Sequence, residues 1–464
     1  MKKVFAVLLL FLLPFHQHAF AVVNPLSVPN NTFGIHIIDE HDLTDAALLV
    51  NGTGGSWGYI TIVVTEQDRD TGKWQRIFDR MRTLKLIPVV RIATKPDGDT
   101  WERPDETDVN EWVSFFNSLN WVVQNRYVIL FNEPNHAKEW GGTIQPEEYA
   151  HVAKRFRDAL KESSDDYFVL PAGFDLAAGN TKETMNASSY FDAMYEADNE
   201  IFTLFDGWTS HSYPNPAFSG PVYGNGKQSI RGFEWELQYL FRYGLSEQAP
   251  VFITETGWAH EQGQSVKPQY FNTAQIADFY EAAFTDVWTH PSIVMVSPFI
   301  LNYQGEPFDH FSWRKLGSDE FYDQYDRVKG LQKTAGMPLQ INTFVLSTDR
   351  IPDTFMTNSF YLIPVVIKNT GQQIWDSTTG LHIQAVGAVG ERKLSKRPVP
   401  QLGPTHEGIV YIPFKTPEKE SPVPLVMAVT TADGTIVGDI VSKMVNIREP
   451  QSLWGQIMSY MSEN

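Results

Sequence analysis

Cysteine is missing from all 464 residues, so the chain has no disulfide framework, no thiolate metal ligand and no lipidated thiol. Positive charge is scarce, with 37 Lys and Arg against 55 Asp and Glu and a formal charge of −18. Affinity for a phosphate backbone comes largely from Lys and Arg displacing counterions, so no nucleic-acid partner is expected and an uncharged substrate is easier to reconcile. Histidines are scattered. The one His-x-His is His16-Gln17-His18, and His36, His136 and His211 stand far apart in sequence, so no metal and no cofactor is expected. No Gly-rich phosphate loop of the required spacing precedes a helix, and internal repeats and low-complexity linkers are lacking.

What is present describes a folded globular protein, with 42% apolar and 20% charged residues. Aromatics reach 13%, including 13 Trp, and their flat apolar faces suit both cores and the C–H faces of sugar rings. The length exceeds one ordinary domain and fits a large α/β barrel with something smaller attached. At the N-terminus Lys2 and Lys3 precede an apolar stretch from Val4 to Phe15, and Ala19-Phe20-Ala21 supplies a small-x-small cleavage pattern. That is the pattern of a secretory signal over residues 1–21, too short for a comfortable membrane span, with an uncleaved anchor as the lesser alternative. A secreted, periplasmic or cell-surface protein without stable membrane insertion is expected.

Short apolar runs alternate with amphipathic stretches from there to about residue 305. The runs are Phe33–Ile38, Trp57–Val64, Ile87–Ala93, Tyr127–Pro134, Tyr167–Asp175, Phe205–Tyr213, Val251–Trp258 and Val294–Tyr303. Near-continuous apolar strands suit a parallel sheet buried on both faces. Lys73–Leu86, Pro146–Glu162 and Thr273–Thr289 have helical periodicity, so the spacing predicts a (β/α)₈ TIM barrel over residues 22–336. Pro171 and Pro298 fall inside expected strands, where Pro lacks a ladder donor, so bulges or shifted boundaries are expected there. Beyond residue 337 the helical periods stop. The β-rich runs Asn342–Ser347, Ser359–Asn369, Leu381–Val389, Gly408–Phe414, Leu425–Thr431 and Ile436–Ile447 predict an all-β sandwich over 337–448, followed by a tail over 449–464.

In such a barrel, polar residues that close apolar strands line the mouth. Strand four runs into Asn132-Glu133-Pro134, and strand seven runs into Thr254-Glu255-Thr256-Gly257-Trp258. Two carboxylates at one mouth suit glycoside hydrolysis, in which one carboxyl protonates the leaving oxygen while an anion or a water meets the cationic sugar centre from the other face. A strand-end surface residue or a buried ion-pair partner is the alternative for either Glu alone. Strand six ends in His211 and Tyr213, which alternation places on one side, where each could bond substrate or Glu255. Arg91 closes the third apolar run and could bond the nucleophile and lower its pKa, or form a structural salt bridge. Trp140 and Trp258 follow the two Glu in their loops and are candidate sugar platforms. Tyr303 is a weaker one, as are Trp57, Trp208 and Trp313, while His36 and Asp39 could reach a distal hydroxyl.

The Asn-Glu-Pro run on strand four, the Glu on strand seven and the His211-x-Tyr213 of strand six together resemble glycoside hydrolase clan A, the retaining (β/α)₈ glycosidases, over roughly residues 30–315. The resemblance implies Glu133 as acid/base, Glu255 as nucleophile, Asn132 on the sugar 2-hydroxyl, and an oligo- or polysaccharide substrate, β-linked in most of the clan's activities. Families 5, 17 and 39 are all similar to it. The run Lys368-Asn369-Thr370-Gly371-Gln372-Gln373-Ile374-Trp375 resembles the Asn-Thr-Gly…Trp segment of immunoglobulin-like domains related to the central domain of the autophagy receptor NBR-one. A non-catalytic glycan-binding barrel and a transglycosylase using the same two carboxylates remain the competing expectations.

Overall fold

The computed structural model describes residues 22–385 and 396–450. The expected leader at 1–21, nearly all of the expected tail and part of the run Leu381–Val389 lie outside the described residues. No helix among the described residues is long and apolar enough to cross a membrane.

From the N-terminal side the chain alternates strand and helix: β1 (Gly34–Ile37), α1 (Leu43–Val50), β2 (Gly58–Thr65), α2 (Thr71–Thr83), β3 (Leu86–Ala93), α3 (Val109–Asn117), β4 (Arg126–Leu130) and α4 (Pro146–Ser163). It continues with β5 (Tyr167–Leu170), α5 (Ala187–Ala197), β6 (Trp208–His211), α6 (Gly232–Phe241), β7 (Val251–Thr256), α7 (Thr273–Ala282), β8 (Ile293–Pro298) and α8 (Asp323–Gly330). The local reasons are visible in the residues. β2 carries the branched run Ile60-Thr61-Ile62-Val63-Val64, stiff side chains that fit a pleated, covered surface. α4 starts on Pro146, which needs no hydrogen-bond acceptor there, and has Glu147 and Glu148 at its positive dipole end. Its inward stripe is Tyr149, Val152, Ala153, Phe156 and Leu160. α7 opens on a capping box between Asn272 and Gln275.

The strands form two parallel sheets, ordered β1-β2-β3-β4-β5 and β8-β7-β6. Parallel bridges Phe33↔Val296 and Asp175↔His211 join the two sheets and close them into a barrel. The second residues of β2, β4, β5 and β7 are Tyr59, Tyr127, Phe168 and Phe252. Tyr127 meets Phe252 at 5.5 Å although β4 and β7 lie three strands apart, so these rings point inward. Together they fill the barrel near the strand N-termini, and the space for chemistry is left at the C-terminal ends.

All eight expected strands form; six are shorter than the apolar runs, while β2 equals its run in length and β3 exceeds its run by one residue. β4 stops at Leu130, well before Pro134. β5 stops at Leu170 because Pro171 has no amide to donate. Pro298 sits at the last position of β8, beside a register shift against β7. The residues beyond these ends become the loops that carry the site.

Residues divide between two compact units. One takes the chain up to Thr71, Leu84–Ser118 and Asn125–Met337; the other takes Gly72–Thr83, Leu119–Gln124 and the chain from Pro338 onward. In the second unit β9 (Phe344–Ser347), β10 (Thr354–Met356), β11 (Phe360–Asn369), β12 (His382–Ala385), β13 (Arg397–Pro398), β14 (Glu407–Lys415), β15 (Ser421–Thr430) and β16 (Ile436–Arg448) form sheets ordered β9-β11-β14 and β10-β16-β15-β12-β13. Inward residues of both sheets share one core, among them Ile363, Val365 and Ile412 from the first and Ile383, Leu425 and Val445 from the second. The Asn-Thr-Gly run is a backbone knot. The Asn369 amide donates to the carbonyls of Gln373 and Leu402 and accepts from Gly371 N–H, and the buried Trp375 indole donates to Asn342.

Candidate active site

Five strand ends of the barrel contribute to one cluster. Arg91 lies near the end of β3, Asn132 and Glu133 follow β4, His211 ends β6 with Tyr213 just beyond, Glu255 is next to last in β7, and His36 lies in β1. The β4 loop is held in an unusual conformation, since Phe131 and Glu133 adopt positive φ of 73° and 28° although neither is glycine. Such conformations cost of order 1–3 kcal/mol each and persist where the surroundings over-determine them. Here Glu133 N–H donates to the Gly173 carbonyl at 3.0 Å, and the Phe131 ring stands edge-on to Trp140 and Phe156. The conformation turns Glu133 into the mouth.

Glu255 is the centre of the cluster and is almost fully buried. Arg91 Nη1 donates to its Oε1 at 2.6 Å, and Tyr213 Oη donates to its Oε2 at 3.2 Å. His211 Nδ1 lies 3.8 Å from Glu255 Oε2 and hydrogen-bonds Glu133 Oε1 at 2.9 Å, so one imidazole touches both carboxylates. His36 Nε2 stands 4.0 Å from Glu255 Oε1. Burial by itself pushes the Glu255 pKa up, but the positive charges of His211 and Arg91 outweigh it and hold the carboxyl well below the usual range. Burial works downward on His211, yet Glu255 and Glu133 raise it above its ordinary value. For His36, burial and then the Arg91 guanidinium push the pKa down to about 3, so the ring is neutral. Its two nitrogens have no hydrogen-bond partner among the described residues.

The ring of His211 fits only because residue 173 is glycine: a Cβ there would stand 2.2 Å from His211 Cδ2. On the other side Asn132 Oδ1 accepts from Arg91 Nη1 at 2.6 Å, and Asn132 Nδ2 donates to Glu139 Oε2 at 3.3 Å. Glu133, His211 and Glu255 each present one ligand-type atom within 4.8 Å of the others, the spacing of a small metal site. The Arg91 guanidinium already occupies the cation position on Glu255, so this donor set is better matched to acid–base work than to a metal ion.

The structure therefore brings together Glu133, Glu255, Asn132, His211, Tyr213 and Arg91. The two tryptophans are placed otherwise. Trp140 has no exposed surface and donates its indole N–H to Glu148; Trp258 is packed among Phe279, Tyr280 and Trp288 with its N–H on the Gly220 carbonyl. A ring with no open face is no platform, and burying about 200 Å² of indole stabilises a loop more than solvent exposure would. Tyr303 is half-buried against Phe308, in an aromatic wall that also includes Phe299, Phe311, Phe218 and Tyr213. That wall is contributed mostly by Phe. Asp39 instead caps a short 3₁₀ turn through His41 N–H. Glu139 was not anticipated, although it lies only six residues beyond Glu133; its signal would have been an acidic residue next to a Trp that anchors its loop.

Residues 101–312 match the sequence profile of the family described as Glycosyl hydrolase catalytic core. No curated protein matches the chain at a significant level. Similar solved structures include an endo-beta-1,4-glucanase from Xanthomonas axonopodis pv. citri, at 11% identity, covering 64% of this chain and 98% of that one with a TM-score of 0.42. A beta-mannanase from Thermomonospora fusca is 12% identical, covering 66% of this chain and 92% of that one, TM-score 0.41. Beta-glucuronidase 2 of Bacteroides uniformis is 13% identical over 91% of this chain and 46% of that one, TM-score 0.41, so the chain spans about half its length.

Proposed function

We propose that this chain is a glycoside hydrolase, a reading supported by the match of residues 101–312 to a glycosyl hydrolase catalytic core profile, and that it cleaves a β-linked glycan with retention, Glu133 serving as acid/base and Glu255 as nucleophile. The observation that carries this reading is the approach of the two carboxylates, each with an oxygen within 4.8 Å of the other. An inverting pair needs about 6.5–9.5 Å to seat a water, whereas a retaining pair stands about 5–5.5 Å apart.

In the first step Glu133 gives its proton to the leaving glycosidic oxygen while Glu255 attacks the anomeric carbon and forms a glycosyl ester. In the second, the Glu133 carboxylate takes a proton from water, whose oxygen displaces Glu255 at the same carbon. The environment of Glu255 supports its part, since Arg91 and Tyr213 hold it as a positioned anion. His211 keeps Glu133 Oε1 in place through the hydrogen bond between them. Asn132 retains one amide N–H for the sugar 2-hydroxyl, and the unpartnered nitrogens of His36 suit a further hydroxyl. To the same reading belong an immunoglobulin-like sandwich over 337–448, supported by the Asn369-to-Trp375 pattern, and export through the leader at 1–21, supported by Lys2, Lys3 and the apolar run after them.

A panel of plant, fungal and bacterial β-glycans, together with 4-nitrophenyl glycosides of their short oligosaccharides, tests the reading. The wild type is expected to cleave at least one. Glu255→Ala should be inactive and partly recovered by azide, and Glu133→Gln should lose roughly 10²–10⁴ in rate on glycans but much less on aryl glycosides, whose leaving group needs little protonation. A Glu255→Ala variant as active as the wild type contradicts the assignment.

A further inference from the structure

We infer that Glu139 is a positioning residue of this active site, fixing the Asn132 side-chain amide so that its remaining N–H meets the substrate; the inference rests on the glycosidase reading above. Three observations bear on it. The first is the chain of contacts. Glu139 Oε2 accepts from Asn132 Nδ2, Asn132 Oδ1 accepts from Arg91 Nη1, and the same Arg91 nitrogen donates to Glu255 Oε1. An asparagine amide is nearly symmetric in shape, and only its neighbours decide which way it faces. Turned over, it would set its NH₂ against the guanidinium and its carbonyl against the Glu139 carboxylate, two repulsive contacts in place of two hydrogen bonds. Arg91 alone provides one of these constraints; Glu139 provides the other.

The second observation is how Glu139 comes to be there. It ends a 3₁₀ turn, Ala137–Glu139, and the next residue is the buried Trp140, whose indole donates to Glu148 of α4. Gly141 N–H donates to the Trp101 carbonyl at 2.9 Å. The tryptophan thus acts as an anchor that delivers the preceding carboxylate to the mouth. The third is the cost. The Glu139 side chain is 10% exposed, and Lys138 reaches its other oxygen at only 3.7 Å. Burial, reinforced by the Glu133 charge, pushes its pKa up. A carboxylate that neither stacks the core nor forms a close ion pair is retained at that cost for what it holds. Beside it is a recess of about 20 Å³ lined by Arg91, Trp101, Phe131, Asn132 and Glu139, room for one water or one hydroxyl.

The probe is the 4-nitrophenyl oligosaccharide that the wild type cleaves fastest, and its 2-deoxy analogue. Glu139→Met, which keeps the volume but removes the acceptor, is expected to lower kcat/KM on the parent by roughly ten- to a hundredfold and on the 2-deoxy analogue by less than about threefold. Glu139→Gln, with an oxygen that accepts in the same place, should restore most of the loss. Combined with Asn132→Ala, Glu139→Met should add little, because both act through one contact. Equal losses on the two probes, or losses that multiply with Asn132→Ala, overturn the assignment while leaving the glycosidase reading intact. A wild type that cleaves no member of the panel contradicts that reading and the Glu139 assignment with it.

Discussion

Arg91 meets two obligations with one nitrogen, bonding both Asn132 Oδ1 and Glu255 Oε1 at 2.6 Å. Its charge is one of the forces that keep Glu255 ionised against burial. The sign of the consequence is fixed. On the proposed assignment Glu255 must be an anion to act as nucleophile, so activity should be lost as pH falls through the Glu255 pKa, and a depressed pKa should carry activity to low pH. The acid limb of kcat/KM should lie below the ordinary Glu value of about 4.3, and Arg91→Gln should move it upward by about one unit or more, read from a pH–rate profile. An unmoved limb would mean that Arg91 does not set the charge of Glu255. Much of this cluster was legible as residue types closing apolar strands, which is how Glu133, Glu255, His211, Tyr213 and Arg91 were found. Trp140 and Trp258 were misassigned because a sequence does not say which side of a loop a ring takes, and a large apolar ring is more stable buried. His36 could be suspected only as a distal contact; its bare ring nitrogens depend on what the opposite wall of the barrel presents.

Among the elements, the loop after β5 shows how a strand that ends early serves chemistry. Pro171 stops the ladder, and the freed backbone at Gly173 both accepts from Glu133 N–H and leaves space for His211. Gly173→Ala should therefore damage the site more than the fold. The imidazole must move away from a Cβ built 2.2 Å from it, while the stability loss stays near the 1–3 kcal/mol of an overpacked position. Turnover falling at least tenfold with a melting temperature lowered by only a few degrees is the expected pair of results; unchanged turnover would show that His211 needs no fixed position. Element existence was readable from apolar runs of the right length, because parallel strands buried on both faces must be continuously apolar. Element ends were not, since the apolar character of Phe131 and Phe174 continues past the ladder into loops that are themselves buried.

For the whole molecule, one unbalanced feature among the described residues outside the mouth is Glu236 on α6. It is fully buried, its Oε2 accepts from Ser210, and its Oε1 has no partner among the described residues. Burial raises its pKa to about 7. A raised carboxyl favours folding in full below the unfolded value near 4.5 and loses that contribution as pH rises through about 7, a swing of roughly 3 kcal/mol. Glu236→Gln should thus leave the melting temperature nearly unchanged at pH 5 and raise it relative to the wild type at pH 8. A difference independent of pH would mean that Glu236 does not titrate in the folded protein. At this scale the barrel and the β-rich C-terminal part were readable from a change of period near residue 337. What was not readable is the pair of short strands β10 and β13, three and two residues long, whose apolar signal is too brief to separate from a turn.

Retention of configuration is the most exposed consequence of the proposed pair, in which one oxygen of each carboxylate lies within 4.8 Å of the other's. It can be read by proton NMR on the sugar first released from a cleaved glycan, before mutarotation equilibrates the anomers. The arrangement predicts that the initial product keeps the anomeric configuration of the bond that was cut. Initial release of the opposite anomer would contradict it, because a single displacement by water calls for carboxyl groups about 6.5–9.5 Å apart.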